Sequence, residues 1–318
     1  MNTSVALCTY NGERYIEQQI DSILNQTVKV DEIVICDDGS TDKTIQILEE
    51  YSKIVPHIRV FKNEVTLGSV RNFEKAILHC VGEYIFLSDQ DDVWVGNKVE
   101  SYLVYFKNNP NVNVIASNGY GIDEINNKIS LPSVWDIPEM LERNNLEYDY
   151  FTLITQYKNI ATGASMCLKK SFVSEVVPFP VITGYQHDEW MATIASYKGS
   201  FAYLKEKYFY YRIHSSQQVG GVFFTKGDDK FFQVVQLYKL VNKKFMLKVY
   251  KISLRNLALC YSTNSKLYCY NGNEVFLENM NSIKLKFLAV KRMMKRYYPL
   301  AYFTLTITDK ILKKRQLT

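Results

Sequence analysis

Tyr84-Ile-Phe-Leu-Ser-Asp-Gln-Asp-Asp-Val-Trp94 decides how this chain is read. Residues 84–87 are apolar and rich in aromatics, the composition of a strand buried on both faces. The run stops at three carboxylates, Asp89, Asp91 and Asp92. Carboxylates crowded at the end of a buried strand repel one another unless something positive stands between them. A divalent cation meets that need, and magnesium takes a few carboxylates together with substrate phosphates. The plain alternative, an acidic turn capping the next helix, needs one carboxylate rather than three.

Working outward, a second acidic corner follows the apolar run 31–36: Asp37-Asp38-Gly39-Ser40-Thr41-Asp42. Ser40, Thr41 or Asp42 can cap the helix that begins at Lys43, so Asp42 has an ordinary structural role. Asp37 and Asp38 sit at the carboxyl end of a strand, where ligands bind in open α/β sheets. The first strand, 4–8, ends likewise in Thr9-Tyr10-Asn11-Gly12-Glu13. Strands at 4–8, 31–36, 58–62, 83–88 and 112–117 alternate with helices at 13–25, 42–53, 69–80 and 95–108. That order predicts an α/β fold with a mostly parallel sheet flanked by helices. From 120 to 225 the pattern is less regular. A loop-like stretch spans 123–149, and strands at 201–204 and 208–213 follow a helical piece near 188–198. Beyond 228 the chain reads as helical, at 231–250, 254–261, 271–278 and 284–297.

At 318 residues and 47% apolar, the chain can build one large domain or two modest ones. Its six cysteines form no CxxC pair, which points to reduced core residues rather than disulfides or zinc. The N-terminus shows no secretory signal, and the late apolar run 297–308 is too short and polar to span a bilayer. Charge is uneven. Residues 1–225 hold 19 Lys and Arg against 28 Asp and Glu, whereas residues 226–318 hold 19 against 5. The change of sign places a boundary between a domain that holds the acidic corners, 1–225, and a basic, mainly helical region, 226–318.

Four segments in this order and spacing resemble the nucleotide-sugar domain of family 2 glycosyltransferases, the inverting GT-A type. They are Cys8-Thr9-Tyr10-Asn11-Gly12-Glu13, Asp37 to Asp42, Gly68-Ser69-Val70-Arg71-Asn72, and Ser88-Asp89-Gln90-Asp91-Asp92. The resemblance weakens towards residue 219 and leaves out the basic tail. It implies that Thr9, Tyr10, Asn11 and Glu13 line the nucleoside pocket and that Asp38 meets the base or ribose. Asp89-Gln90-Asp91 then corresponds to the DxD signature, with Asp89 near the ribose and Asp91 on a Mg or Mn ion bridging the diphosphate. Gly68 lies beside the nucleotide, and Arg71 is an extra cation or, equally, a surface residue of helix 69–80.

Inverting transfer needs a base for the acceptor hydroxyl. The resemblance places it at Asp188 in Gly184-Tyr185-Gln186-His187-Asp188-Glu189-Trp190, with Glu189 as fallback. The family commonly carries Glu-Asp here, and His187-Asp188 resembles bacterial rhamnosyltransferase-like members. Asp188 capping a helix is the bland alternative. His214, in Tyr211-Arg212-Ile213-His214, is a metal or diphosphate ligand by the same resemblance, or an ordinary loop histidine.

The basic segment 283–298 has the pattern of an amphipathic helix that can lie on an anionic membrane. A helical bundle with a charged outer side would show the same pattern. Nucleic acid is not expected, since no reading element accompanies the charge. The expected activity is transfer of one sugar, such as L-rhamnose or another hexose, from a dTDP- or UDP-sugar. The acceptor is a saccharide or a polyprenyl-diphosphate-linked one, at the inner face of the cell membrane. The rivals are a nucleotidyltransferase, which would have no use for Asp188, and a non-catalytic nucleotide-sugar-binding protein.

Overall fold

The computed structural model describes residues 2–215, 217, 222–224, 236–237, 239–240, 243–312, 314–315 and 317. Strands β1 (Thr3–Thr9), β2 (Glu32–Asp37), β3 (Ile58–Lys62) and β4 (Tyr84–Ser88) run parallel, side by side in the order β3-β2-β1-β4. Helices α1 (Ile16–Leu24), α2 (Thr44–Ile54) and α3 (Ser69–His79) make the crossovers. Every residue of β1, β2 and β4 is buried, as the apolar runs require. Thr9 pairs with Asp37 and Leu7 with Ser88, so the three strands end together. That shared edge gathers the polar corners.

Past β4 the sheet becomes mixed. Helix α4 (Lys98–Asn108) leads to β6 (Val114–Ile122), which does not pair with β4. The three-residue β8 (Cys167–Lys169) enters between them, antiparallel to both. Strand β9 (Phe201–Arg212) runs parallel to β6, and its end pairs with the two-residue β5 (Val93–Trp94). A short β7 (Lys128–Ile129) pairs with β6. Residues 201–212 therefore form one strand, not two. Lys205, Glu206 and Lys207, which interrupt its apolar pattern, are exposed where the register with β6 slips.

The chain divides into two compact units, residues 1–131 with 161–222 and residues 132–160 with 223–318. The first carries the sheet, together with α7 (Val173–Val176) and α8 (His187–Tyr197). The boundary expected between 225 and 226 lies outside the described residues, as do 231–235, 238, 241 and 242 of the helix expected over 231–250. Residues 243–246 of that stretch are not helical, and the regular helix begins only at Leu247. Part of the stretch read as a loop, 134–143, is helical. A capping box joins Ser133 and Asp136, and Pro138 falls in the first turn of α5 (Ile137–Arg143), where its missing N–H leaves no bond unmade. Helix α6 (Tyr150–Gln156) follows.

Two long helices, α9 (Leu247–Asn271) and α10 (Glu274–Tyr297), replace the three short ones expected after 250. The break falls at Gly272, whose φ of 68° suits a helix end. Two buried asparagines inside these helices are paired: Asn264 donates to the Thr155 carbonyl and accepts from Asn279. Ile283, Phe287, Val290 and Met294 of α10 pack into one buried cluster with Val249, Leu254 and Leu257 of α9. The apolar row of 283–298, for which both a membrane surface and a helical bundle were open, is thus occupied inside this unit. Helix α11 (Pro299–Ile311) completes it. Among the described residues no helix is long and apolar enough to cross a membrane. All six cysteines are free, and Cys8, Cys36, Cys80 and Cys167 are buried.

Candidate active site

The strand ends of the first unit open into one cleft of ≈ 610 Å³. Its first wall is built from the segment after β1. The Asn11 N–H donates to Ser40 Oγ and the Gly12 N–H to Thr44 Oγ1, each at 2.8 Å. The Thr41 N–H donates to Asn11 Oδ1 at 2.8 Å. These bonds fix Thr9 to Gly12 as a shaped backbone surface. Gln90 clips it to the acidic corner, accepting from the Tyr10 N–H at 2.8 Å and donating to the Tyr10 carbonyl at 3.0 Å. A Cβ on Gly12 would collide with the Gln90 side chain.

The two carboxylates after β2 have different duties. Asp37 is fully buried and accepts from Thr9 Oγ1, Ser40 Oγ and the Gly39 and Ser40 N–H groups. It holds the turn and does not line the cleft. Asp38 does line it, and accepts from the Leu67 and Gly68 N–H groups at 2.7 and 2.9 Å and from Asn63 Nδ2 at 2.8 Å. It anchors the loop that brings Gly68, in the left-handed region at φ 78°, to the cleft. Two residues expected at the nucleotide stand off this wall. Glu13 accepts from the Lys43 N–H at the start of α2. Arg71 forms a two-pronged ion pair with Glu74, at 2.8 and 2.9 Å. Neither lines the cleft.

The acidic corner forms the floor. Asp89 lies in the cleft, and burial, with the Asp91 and Asp188 charges, pushes its carboxyl up to about 7. Asp92 is buried behind it and accepts from the Arg212 N–H at 3.0 Å. Its pKa is raised, first by burial and then by Asp91 and Asp89, which favours the neutral acid. Asp91 lines the cleft and meets His214 Nε2 at 2.8 Å. A carboxylate and an imidazole at this distance suit a divalent ion that completes its shell from a diphosphate. Among the described residues no group of three or more acidic, His or Cys side chains is disposed to hold a metal alone.

Two buried cations organise this floor, and the sequence had assigned neither a role. Arg212 is fully buried. Its guanidinium donates to the Asp91 and Asp123 carbonyls, to Asn126 Oδ1 and to Gln18 Oε1, and lies 4.6 Å from the Tyr15 ring centroid. It fixes the backbone of one expected metal ligand and stands two residues before the other. Lys98 donates to the Ala164 carbonyl at 2.6 Å and sits 4.1 Å from the Trp94 ring centroid. Burial pulls its ammonium down to about 7. The visible signal for Arg212 was its place two residues before His214; for Lys98 there was none.

Asp188 completes the cleft from the first turn of α8. It accepts from the Gly163 N–H at 2.9 Å and the Glu189 N–H at 2.6 Å. Burial outweighs these bonds and raises its carboxyl to about 6. Glu189, the fallback, does not line the cleft. His187 does, with its ring stacked 3.9 Å from that of Phe73.

One cleft thus joins the segments after β1, β2 and β4 with the start of α8 and the end of β9. The sequence profile described as "Glycosyl transferase family 2" matches residues 4–172, more than half of the chain. The chain belongs to glycosyltransferase family 2. It is 29% identical over 265 residues to the dTDP-rhamnosyl transferase RfbG of Shigella flexneri, covering 78% of this chain and 83% of that one. It is 32% identical over 144 residues to the UDP-Glc:alpha-D-GlcNAc-diphosphoundecaprenol beta-1,3-glucosyltransferase WfgD of Escherichia coli, covering 45% and 54%. The match to an uncharacterized glycosyltransferase of Haemophilus influenzae covers 35% of that relative's length. In fold, the chain is similar to S. aureus TarS 1-349 in complex with UDP-GlcNAc, at a TM-score of 0.55 and 16% identity, covering 93% of this chain and 82% of that one. The GT-A α/β fold expected from the sequence is the fold observed.

Proposed function

We propose that this chain is a metal-dependent inverting glycosyltransferase. It moves one sugar from a dTDP- or UDP-sugar to a saccharide or lipid-linked acceptor during cell-surface polysaccharide synthesis. The observation that carries this is the cleft's polarity: a pair of metal-ligand types, Asp91 and His214, shares it with one base-type carboxylate, Asp188. The names of RfbG and WfgD support the donor classes, and that of WfgD supports a polyprenyl-diphosphate acceptor.

In this scheme the backbone from Thr9 to Gly12, with Tyr10, Asn11 and Asp38, receives the nucleoside, and Asp89 meets the ribose. Asp91 and His214 would hold Mg or Mn, which supplies positive charge to the departing diphosphate when bound. Gln90 keeps the nucleoside wall and the acidic floor in register. Asp188 accepts the proton of the acceptor hydroxyl as that oxygen bonds to the anomeric carbon and the bond to the diphosphate oxygen breaks, with inversion. Its N–H partners Gly163 and Glu189 aim the carboxylate and do not compete for the proton.

An acceptor at the inner membrane surface finds support in the second unit. Helix α11 buries Leu305 and exposes Leu300, Phe303, Ile307 and Ile311 on the opposite side. Lys310 and Lys314 lie at that end of the chain and are exposed. The test is a panel of UDP-, dTDP- and GDP-sugars, assayed for binding and cleavage with Mg, with Mn and with EDTA, beside Asp91→Asn. Cleavage of one donor only with metal, lost in Asp91→Asn, is the expected result. Absence of binding to every donor under every condition refutes the proposal.

A further inference from the structure

Gln186 and His187 carry buried polar atoms with no hydrogen-bond partner among the described residues. His187 is 5% exposed, yet neither ring nitrogen has a hydrogen-bond partner among the described residues. The buried Gln186 Oε1 beside it has none either. Both residues line the cleft. A buried donor or acceptor left unpaired costs about 1–3 kcal/mol, so three in adjacent residues call for a ligand.

Gly163 locates that ligand. A Cβ at this position would lie 3.1 Å from His187 Nε2 and 3.6 Å from Asp89 Oδ2. Its absence leaves open a small space that both atoms border. Asp188 borders it too, through its bond from the Gly163 N–H. In the proposed reaction, on which this inference rests, the sugar being transferred must lie between the diphosphate end, at Asp91 and His214, and the base. We infer that Gln186 and His187 form a subsite that recognises a hydroxyl of the transferred sugar. A neutral imidazole offers one donor and one acceptor, whereas a carboxylate offers acceptors only. The stack on Phe73 fixes the ring plane, and with it the directions along which a hydroxyl can be met. His187 is therefore a specificity-determining residue rather than a proton carrier. Burial, which draws its ring down to about 3, keeps it uncharged in that role.

The experiment is calorimetric titration of the wild type and His187→Phe with UDP, dTDP and panels of their sugars, including monodeoxy analogues. Phe keeps the ring and the stack and removes both nitrogens. The two proteins are expected to bind the free nucleotides equally. The sugar's added affinity should fall 10- to 100-fold in His187→Phe, and one monodeoxy analogue should bind both proteins alike. Gln186→Leu, from outside the stack, should lose sugar affinity in the same direction, and it replaces His187→Phe if that variant melts early. Equal sugar increments in wild type and variants overturn the inference, as does an equal loss on every monodeoxy analogue. A selective loss without any sugar transfer sustains the subsite and counts against the transferase assignment alone.

Discussion

At the scale of single residues, the proposed reaction gives Asp188 and Arg212 different work. As the proposed base, Asp188 must be ionised to accept a proton, and its burial raises the carboxyl to about 6. The sign follows directly: below that pH the base is protonated and idle, and above it the base is available. The kcat/KM profile should therefore climb about tenfold per pH unit below about 6 and level off above it. Asp188→Asn should lower kcat by about 10²–10⁴-fold while donor affinity changes little. An unaltered acid limb in that variant would remove Asp188 from the role. Arg212 acts through others. Its donation to the Asp91 carbonyl holds a ligand candidate that could otherwise turn toward Asp89. Arg212→Lys cannot satisfy four acceptors from one fork, so Mn affinity should fall about 10- to 100-fold, read by calorimetry. Unchanged Mn affinity would reduce Arg212 to packing.

Elements show what the sequence disclosed and what it kept. Strands β1, β2 and β4 were legible because each is an apolar run ending in polar residues, and their register brings Thr9, Asp37 and Ser88 to one edge. The acidic corner was legible for the same reason. The insertion of β8 between β4 and β6 was not, since three residues carry no periodicity of their own. Arg212 was hidden because burial of a guanidinium depends on partners from α1, the β6–β7 turn and the acidic corner, all remote in sequence. Glu13 and Arg71 had the right residue types near the right strands, yet local partners, the α2 N-terminus and Glu74, claim them. Close strand approach supplies a test at this scale. A Cβ on Gly82 would lie 2.5 Å from Ser4 Oγ and 2.7 Å from the Ser4 backbone nitrogen. Gly82→Ala must then push β1 and the turn before β4 apart, at a cost of about 1–3 kcal/mol. A lower urea midpoint with an unchanged slope is the expected result; an unchanged midpoint would mean the turn yields freely.

For the whole molecule, the charge asymmetry acquires meaning once the helices are placed. Residues 226–318 carry 19 basic against 5 acidic groups, and the apolar row of α10 is spent on the unit's own core rather than left for lipid. Helix α11 keeps apolar groups outside: Leu300 is 85% and Phe303 67% exposed while Leu305, on the opposite side, is buried. A helix apolar on both sides has one face for its own domain and one for a second apolar phase. Under the proposed membrane contact, cationic neighbours favour an anionic bilayer, with each basic group near it worth about 1 kcal/mol. The full chain should co-sediment with vesicles containing phosphatidylglycerol, more weakly as salt rises, and little with pure phosphatidylcholine. Phe303→Ser with Ile307→Ser removes apolar area that each side chain would bury for about 1.5–3 kcal/mol, so the bound fraction should drop by at least about tenfold. Soluble-donor hydrolysis should be retained in that variant, because the substituted residues lie in the second unit and the cleft in the first. Equal sedimentation of both proteins would transfer the membrane role from α11 to the basic surface alone. A change in oligomeric state instead would make a second copy of the chain the partner of this face.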